Sequence, residues 1–329
     1  MMAQPIFIIG SPRSGTSVLT WAIGQHPNIS VQPETNWMPT IAHAAFDAYQ
    51  IGTARQEFSQ LSWAEFPFEA FMTQFGNAID SISRDCFERR LALSLPDYRN
   101  GQYELDTSAS FRLIRSPDEP KERWVDGTPA NSFSTYALGL MFPDCKFIHI
   151  LRRPEQVVNS LAHFENLGHA DTRSFSVPKA LRVWTRHTLA ARETANYYGQ
   201  SRLLRIDHAD LLRNGPNVLS RCFEYLGEPD CAHAASVLGE KRINSSNADD
   251  ERQDTLSKLE GHPYFEKARA LYQELRSCEV PPEPDKNALK EQRAAFEKGG
   301  QFANRSASAV APVSFAGSLL FKLRSLFGR

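Results

Sequence analysis

Apolar and polar positions along this chain fall into short blocks whose spacing changes from one block to the next. Near the N-terminus, Pro5-Ile6-Phe7-Ile8-Ile9 is apolar throughout and stops at Gly10. A brief apolar run without alternation suits a parallel strand covered on both faces. Ile29–Gln32, Arg123–Asp126, Lys146–Leu151 and Arg202–Ile206 can join it as further strands. The stretches between them carry helical signals. Thr16–Gln25 follows a glycine, and Pro154–Phe164 opens with proline at the favoured first helical position. Ser176–Tyr198 spaces Leu181, Trp184, Thr188 and Ala195 at helical intervals, and Asn217–Leu226 runs into Gly227, a C-cap signal. Strands alternating with helices predict an α/β fold: a parallel sheet of about five strands flanked by helices.

Residues 36–120 break the alternation. The stretch is rich in aromatics (Trp37, Phe46, Tyr49, Trp63, Phe66, Phe68, Phe71, Phe75) and reads as helices with loops, inserted after the first strand-helix-strand unit. Such an insertion serves as a helical cover for the sheet, as one wall of a substrate pocket, or as both. Past about residue 280 the character changes again. Val280-Pro-Pro-Glu-Pro284 is a stiff break, and Ala303–Pro312 is small and polar. The expected organisation is one domain over residues 1–280 and a linker with an amphipathic tail over 281–329. Within that tail, residues 314–329 mix Phe315, Leu319, Phe321 and Leu323 with Lys322, Arg324 and Arg329. They are a candidate for peripheral membrane or docking contact, against the simpler reading of a helix packed on its own domain.

Composition narrows the function. A hydrophobic share of 41% is enough for a sizeable core. Lysine plus arginine total 37 against 38 acidic residues, a net charge of −1. That balance argues against a basic surface for nucleic acid, yet leaves room for a pocket that holds one polyanion. The five cysteines form no CxxC pair, so neither a zinc site nor a disulfide framework is legible and a reducing compartment is favoured. With no secretory signal in Met1–Gly10 and no apolar run near the roughly 20 residues that span a bilayer, the expectation is a soluble, cytoplasmic protein.

The chemistry gathers at strand ends. Gly10-Ser-Pro-Arg-Ser-Gly15-Thr16-Ser17 lies between a strand and a helix, where backbone N–H groups and a helix N-terminus cradle an anion. The stretch keeps the GxxxxG frame of a nucleotide P-loop but has Thr16 where a triphosphatase needs lysine, and its cation sits inside the loop as Arg13. These residues resemble the 5′-phosphosulfate loop of the sulfotransferases that use 3′-phosphoadenosine 5′-phosphosulfate (PAPS). His26-Pro27-Asn28-Ile29 and Pro33-Glu34-Thr35 continue the similarity toward the tyrosylprotein and related bacterial branches. It extends over roughly residues 5–250 and is thin in the aromatic insertion.

A second motif runs from Phe147 through Leu151-Arg152-Arg153-Pro154 to Ser160, a strand feeding a helix. Arg152 stands at the carboxyl end of its strand, where open α/β sheets bind ligands, and an arginine grips phosphate through two parallel N–H bonds. The segment resembles the family's 3′-phosphate motif, which implies that Arg152 and Ser160 hold the 3′-phosphate, with Arg153 a less certain contact. A late polar loop closes over that phosphate in the family, so Arg242 and Ser245 are further candidates.

The resemblance implies PAPS as donor, adenosine 3′,5′-bisphosphate as product, no required metal, and an acceptor hydroxyl on a small molecule, lipid, sugar or peptide. It also implies that Ser14, Gly15, Thr16 and Ser17 hold the 5′-phosphate and that Arg13 stabilises charge on the bridging oxygen. Sulfuryl transfer also needs a base for the acceptor, and Glu34, whose Pro-Glu-Thr setting resembles the catalytic glutamate position of the tyrosylprotein branch, is the candidate, against the simpler reading of a cap for the helix that begins near Asn36. One position departs from the family. A lysine often precedes Thr-Pro after the third strand, whereas this chain reads Val125-Asp126-Gly127-Thr128-Pro129. Asp126 is a second base candidate, with a buried structural carboxylate the simpler reading, and His149 reads as a core histidine. Two rival functions stand beside this one: a P-loop nucleotide kinase or triphosphatase, disfavoured by Thr16, and a non-catalytic nucleotide-binding member of the sulfotransferase fold.

Overall fold

The computed structural model describes residues 4–99, 120–163, 175–240, 259–260 and 262–306; Arg242, Ser245 and the stretch 314–329 lie outside them. The first apolar run forms β1 (Ile6–Ile9), with all its residues buried. The glycine loop leads into α1 (Thr16–Ile23) and back to β2 (Ile29–Gln32). The insertion supplies α2 (Met38–Thr53), the single turn α3 (Gln60–Trp63) and the long α4 (Phe68–Arg99). After β3 (Arg123–Asp126) a 3-10 segment, Pro129–Phe133, enters α5 (Thr135–Met141). Next come β4 (Lys146–Leu151), α6 (Pro154–Ala162), α7 (Val177–Arg202) and β5 (Leu203–Asp207). The last described elements are α8 (His208–Arg213), α9 (Gly215–Leu226), α10 (Ala232–Glu240), α11 (Pro263–Ser277) and α12 (Lys286–Ser306).

These strands form one parallel sheet in the order β2-β3-β1-β4-β5. Ile6 pairs with Val125 on one side and with Lys146 on the other, so β1 is central. The chain builds outward from β1 in both directions, and the crevice above the β1–β4 boundary is the topological switch point. Side chains alternate between the faces. Ile6, Ile8, Ile148 and Ile150 pack with Leu19 and Ile23 of α1 and Phe223 of α9. Phe7, Ile9, Trp124 and Phe147 face the opposite layer of α2, α5 and α7. Phe7 meets Trp124 edge-on at 5.6 Å and stacks on Phe147 at 5.7 Å. Each such ring, taken fully from water, contributes roughly 1.5–3 kcal/mol.

The aromatics of the insertion largely interlock with one another. Phe46 and Tyr49 of α2 meet Phe68 at 5.9 and 5.1 Å, and Phe71 meets Phe75 at 5.2 Å. Met38, Ala42 and Phe46 of α2 and Met72 of α4 also pack in the cluster that holds Phe7 and Trp124, so these two helices cover that face of the sheet.

Residues 281–306, expected as linker and tail, pack onto this body. Gly199 leaves the helical conformation near the end of α7 with φ 62°, and a Cβ there would stand 3.1 Å from the Pro281 carbonyl oxygen. Gln200 then donates from its backbone to Pro281 O and from its side chain to Val280 O, both at 2.8 Å. Beyond this latch α12 buries Phe296 against Phe46, His43 and Tyr136. The proline run is stiff, as its sequence says, but its stiffness aims a helix at the core. Among the described residues no helix is long and apolar enough to cross a membrane.

Candidate active site

All the strands end on the same edge of the sheet, so the loops that follow them converge. After β1 the chain turns sharply at Gly10, where φ is 148° and a Cβ would meet the Ile150 carbonyl oxygen at 2.7 Å. Gly10 N–H donates to Ser132 Oγ at 3.0 Å, which ties the root of the loop to the 3-10 segment after β3. Ser14 N–H closes a turn on Ser11 O at 3.0 Å. Arg13, at the apex, takes φ 66°, a left-handed conformation that costs a non-glycine residue about 1–3 kcal/mol. Gly15 is the N-cap of α1 at φ 100°, and no side chain caps the helix. The loop therefore presents first-turn amides and the positive end of the α1 dipole to whatever sits above it. Ser14 and Thr16 are buried and Ser17 is half-buried.

Arg152, Ser160 and Arg13 form one cluster. Arg13 Nε donates to Ser160 Oγ at 3.0 Å, and Arg152 Nη1 donates to the Arg13 carbonyl oxygen at 2.8 Å. The Arg152 Nε–H reaches Gln156 Oε1 at 3.2 Å, and its backbone oxygen accepts from the buried indole of Trp184 at 2.9 Å. Burial lowers the affinity of the Arg13 guanidinium for its proton. Two cations at the mouth of an uncapped helix make a strongly anion-seeking surface. Arg153 is exposed and bonds to Tyr272 instead.

The sequence reading passed over His208. Its ring lies behind the loop, with Cδ2 only 2.7 Å from where a Gly15 Cβ would be, so it holds that glycine in place. Burial, then the charge of Arg152, hold its pKa down at about 4, and the ring is neutral. A histidine directly after the acidic end of the fifth strand was the available signal. Asp207 itself caps α8 through Ala209 N–H at 2.7 Å and accepts from Tyr272 at 2.7 Å, a structural task.

On the other side of β1, Asp126 is fully buried. Its Oδ1 accepts from the Thr128 amide and hydroxyl at 2.8 and 2.6 Å, and its Oδ2 accepts from Thr35 Oγ1 and Asn131 Nδ2 at 2.7 and 2.9 Å. Thr35 N–H also donates to Thr128 Oγ1 at 2.8 Å. This network fixes the turn that carries Glu34, leaving Asp126 occupied as an organiser. Glu34 stands exposed at the rim, where partial desolvation and then the Asp126 carboxylate raise its pKa above the ordinary value.

Gly127 is closed to the family's lysine. A Cβ at that position would fall 2.0 Å from Thr20 Oγ1 and 3.0 Å from Thr20 Cβ, and Thr20 is fully buried in α1. His149, paired with Ile9 in the sheet, is buried and held neutral by burial and then by the charge of Arg205. Among the described residues no cluster of three or more His, Cys, Asp or Glu side chains is placed to hold a metal.

The chain is similar to known proteins to differing degrees. An uncharacterized protein of Aquifex aeolicus strain VF5 is 29% identical over 158 residues, covering 48% of this chain. The chain spans only 16% of that relative's length. Among solved structures, a sulfotransferase of Mycobacterium avium is 17% identical, with 87% of this chain and 79% of that one covered and a TM-score of 0.45. A sulfotransferase of Alicyclobacillus acidocaldarius is 15% identical over 88% of this chain and 99% of its own, with a TM-score of 0.43. The profile of the sulfotransferase family runs from residue 5, just before β1, to residue 231, past the end of β5, and so takes in every strand of the sheet and the loops after β1 and β4. By that match the chain belongs to the sulfotransferase family.

Proposed function

We propose that this chain moves a sulfuryl group from PAPS to the hydroxyl of an acceptor, with the 5′-phosphate on the Ser14–Ser17 loop and the 3′-phosphate near Arg152 and Ser160. The observation that carries the reading is the Arg13–Arg152–Ser160 cluster at the uncapped start of α1, which offers neighbouring positions to two anionic groups. The acceptor oxygen attacks sulfur, the bond from sulfur to the 5′-phosphate oxygen breaks, and its electron pair stays on that oxygen. Adenosine 3′,5′-bisphosphate leaves, and the hydroxyl proton passes to Glu34. Arg13 faces the charge that develops on the bridging oxygen. The raised pKa of Glu34 suits a base that must take a proton near neutrality. Arg242 and Ser245 remain candidates for closing over the 3′-phosphate.

Calorimetric titration with adenosine 3′,5′-bisphosphate tests the donor. Binding in the presence of EDTA is expected, and binding of ATP that requires magnesium would replace this reading with a nucleotide kinase. Gly127 favours one alternative, a member that binds the nucleotide without transferring the group, because the position of the usual lysine is filled by Thr20. Incubation with labelled PAPS and a panel of hydroxyl compounds separates the two, since a pure binder yields no labelled product.

A further inference from the structure

The loops assigned to the donor rise from the carboxyl edge of the sheet, and the amino edge carries a second cleft. Every strand is parallel, so three cations reach that edge together: Arg123 opens β3, Lys146 opens β4, and Arg202 directly precedes β5. All three line a cavity of roughly 440 Å³. Among the described residues Asp144 is the only acid in that lining, and none of Arg13, Arg152 and Ser160 takes part in it. The volume falls within the ~300–1,000 Å³ typical of ligand pockets.

Part of this charge is structural. Arg123 donates from Nε to Gln4 O at 2.9 Å, and from Nη1 to Leu226 O at 2.8 Å and Glu228 Oε1 at 2.9 Å, at the end of α9. Arg202 donates from Nε to Cys145 O at 3.3 Å, and from Nη2 to Phe142 O at 3.1 Å and Cys145 Sγ at 2.9 Å, at the end of α5. Lys146 donates to Ser201 O and lies 5.2 Å from the centre of the Tyr225 ring. None of the acceptors of Arg202 and Lys146 is a carboxylate. Among the described residues these bonds leave Arg123 Nη2, Arg202 Nη1 and two of the three ammonium hydrogens of Lys146 uncommitted. Neither Nη atom is sealed from solvent. Burial, then the charges of Arg202 and Arg123, lower the pKa of Lys146, so the cations repel one another across the cleft. An anion entering there satisfies several donors and relieves that repulsion, whereas a neutral guest does neither.

We propose that this cleft is a second anion site, which binds the phosphate or sulfate group of a small molecule, as the free ion or as its ester, apart from sulfuryl transfer. Two guanidinium forks and an ammonium suit a tetrahedral oxyanion, which presents several acceptor oxygens at once. The proposal stands whatever donor occupies the opposite edge of the sheet.

The test follows the thermal unfolding midpoint of the full chain as inorganic phosphate is titrated, with sodium chloride holding the ionic strength constant. A ligand of the folded state raises that midpoint as it fills its site, so the dependence on phosphate gives an apparent affinity. Lys146→Gln should weaken this affinity by at least about tenfold, while Lys146→Arg, which keeps the charge, should retain most of it. Asp144 is exposed, and Asp144→Asn removes the carboxylate from the wall, so that variant should bind phosphate roughly threefold more tightly. Changes of opposite sign cannot both arise from damage to the fold. Glycerol 3-phosphate in place of phosphate separates the sources: tighter binding than the free ion assigns the site to an ester, and equal or weaker binding to the ion itself. The site is overturned if phosphate does not raise the midpoint of the wild type. It is equally overturned if Lys146→Gln and Asp144→Asn leave the affinity unchanged while Arg152→Ala abolishes the effect, because the phosphate then sits in the loop after β1.

Discussion

Arg13 Nε donates to Ser160 Oγ across 3.0 Å, joining the loop after β1 to the helix after β4, 147 residues further along the chain. Arg152, at the start of that second segment, returns the contact by donating to the Arg13 backbone oxygen. The two candidate phosphate sites are thus one hydrogen-bonded unit, and side chains in such a unit do not act independently. Ser160→Ala and Arg152→Ala should each weaken adenosine 3′,5′-bisphosphate by about 1.5–3 kcal/mol, the usual worth of hydrogen bonds to charged groups. A calorimetric double-mutant cycle between Arg13→Ala and Ser160→Ala should show a coupling of about 0.5–3 kcal/mol. Strict additivity would break the link between the two halves.

Glu34→Gln should lower the rate of sulfuryl transfer by roughly 10²–10⁴-fold and leave bisphosphate affinity nearly unchanged, since only the proton acceptor is lost. The pH profile follows from the raised pKa of Glu34. A base works deprotonated, so activity should fall as the pH drops through that raised value, at a higher pH than the ordinary glutamate pKa of about 4.3 would give. Asp126→Asn removes the neighbouring negative charge, which is one cause of the shift. The acid limb of kcat/KM should then move to lower pH; a limb that stays in place would remove Glu34 from the role.

Asp126→Ala tests the organiser. It leaves the Thr35, Thr128 and Asn131 donors inside the protein without their acceptor. Each such group costs about 1–3 kcal/mol, and part of that sum is recovered by relaxation and entering water. A loss of several degrees in Tm is expected. A variant as stable as the wild type would mean that this carboxylate does not hold the Glu34 turn.

Gly127→Lys, the substitution that would restore the family's usual residue, should destabilise the protein. Its Cβ meets Thr20 Oγ1 at 2.0 Å, and overpacking of that kind costs about 1–3 kcal/mol. Thr20→Gly in the same chain removes the colliding side chain and should recover part of the loss, read as thermal unfolding midpoints of the single and double variants. Equal stability of Gly127→Lys and the wild type would show that α1 can retreat and that the position is open to a cation.

How much of this was legible in the sequence depends on how far apart the interacting residues lie. Local pattern was sufficient for the strands. The apolar run Pro5–Ile9 marked β1 to within one residue, and the expected bounds of β2, β3 and β4 match those found, since a short buried strand leaves its signature within four to six positions. β5 begins at Leu203, one position later than expected, since Arg202 ends α7 with its guanidinium on Phe142 O and Cys145 O. The turn between β1 and α1 was equally legible, because glycine spacing between a strand and a helix is itself a local constraint. Tertiary structure alone decided the strand order, the meeting of Arg13 with Ser160, the neutral His208 wedged behind Gly15, and the collision that keeps Gly127 a glycine. It also decided that α12 folds back to bury Phe296 against Phe46, His43 and Tyr136. Each of these rests on groups brought together from distant parts of the chain, and the period of apolar positions carries no record of which surfaces will meet.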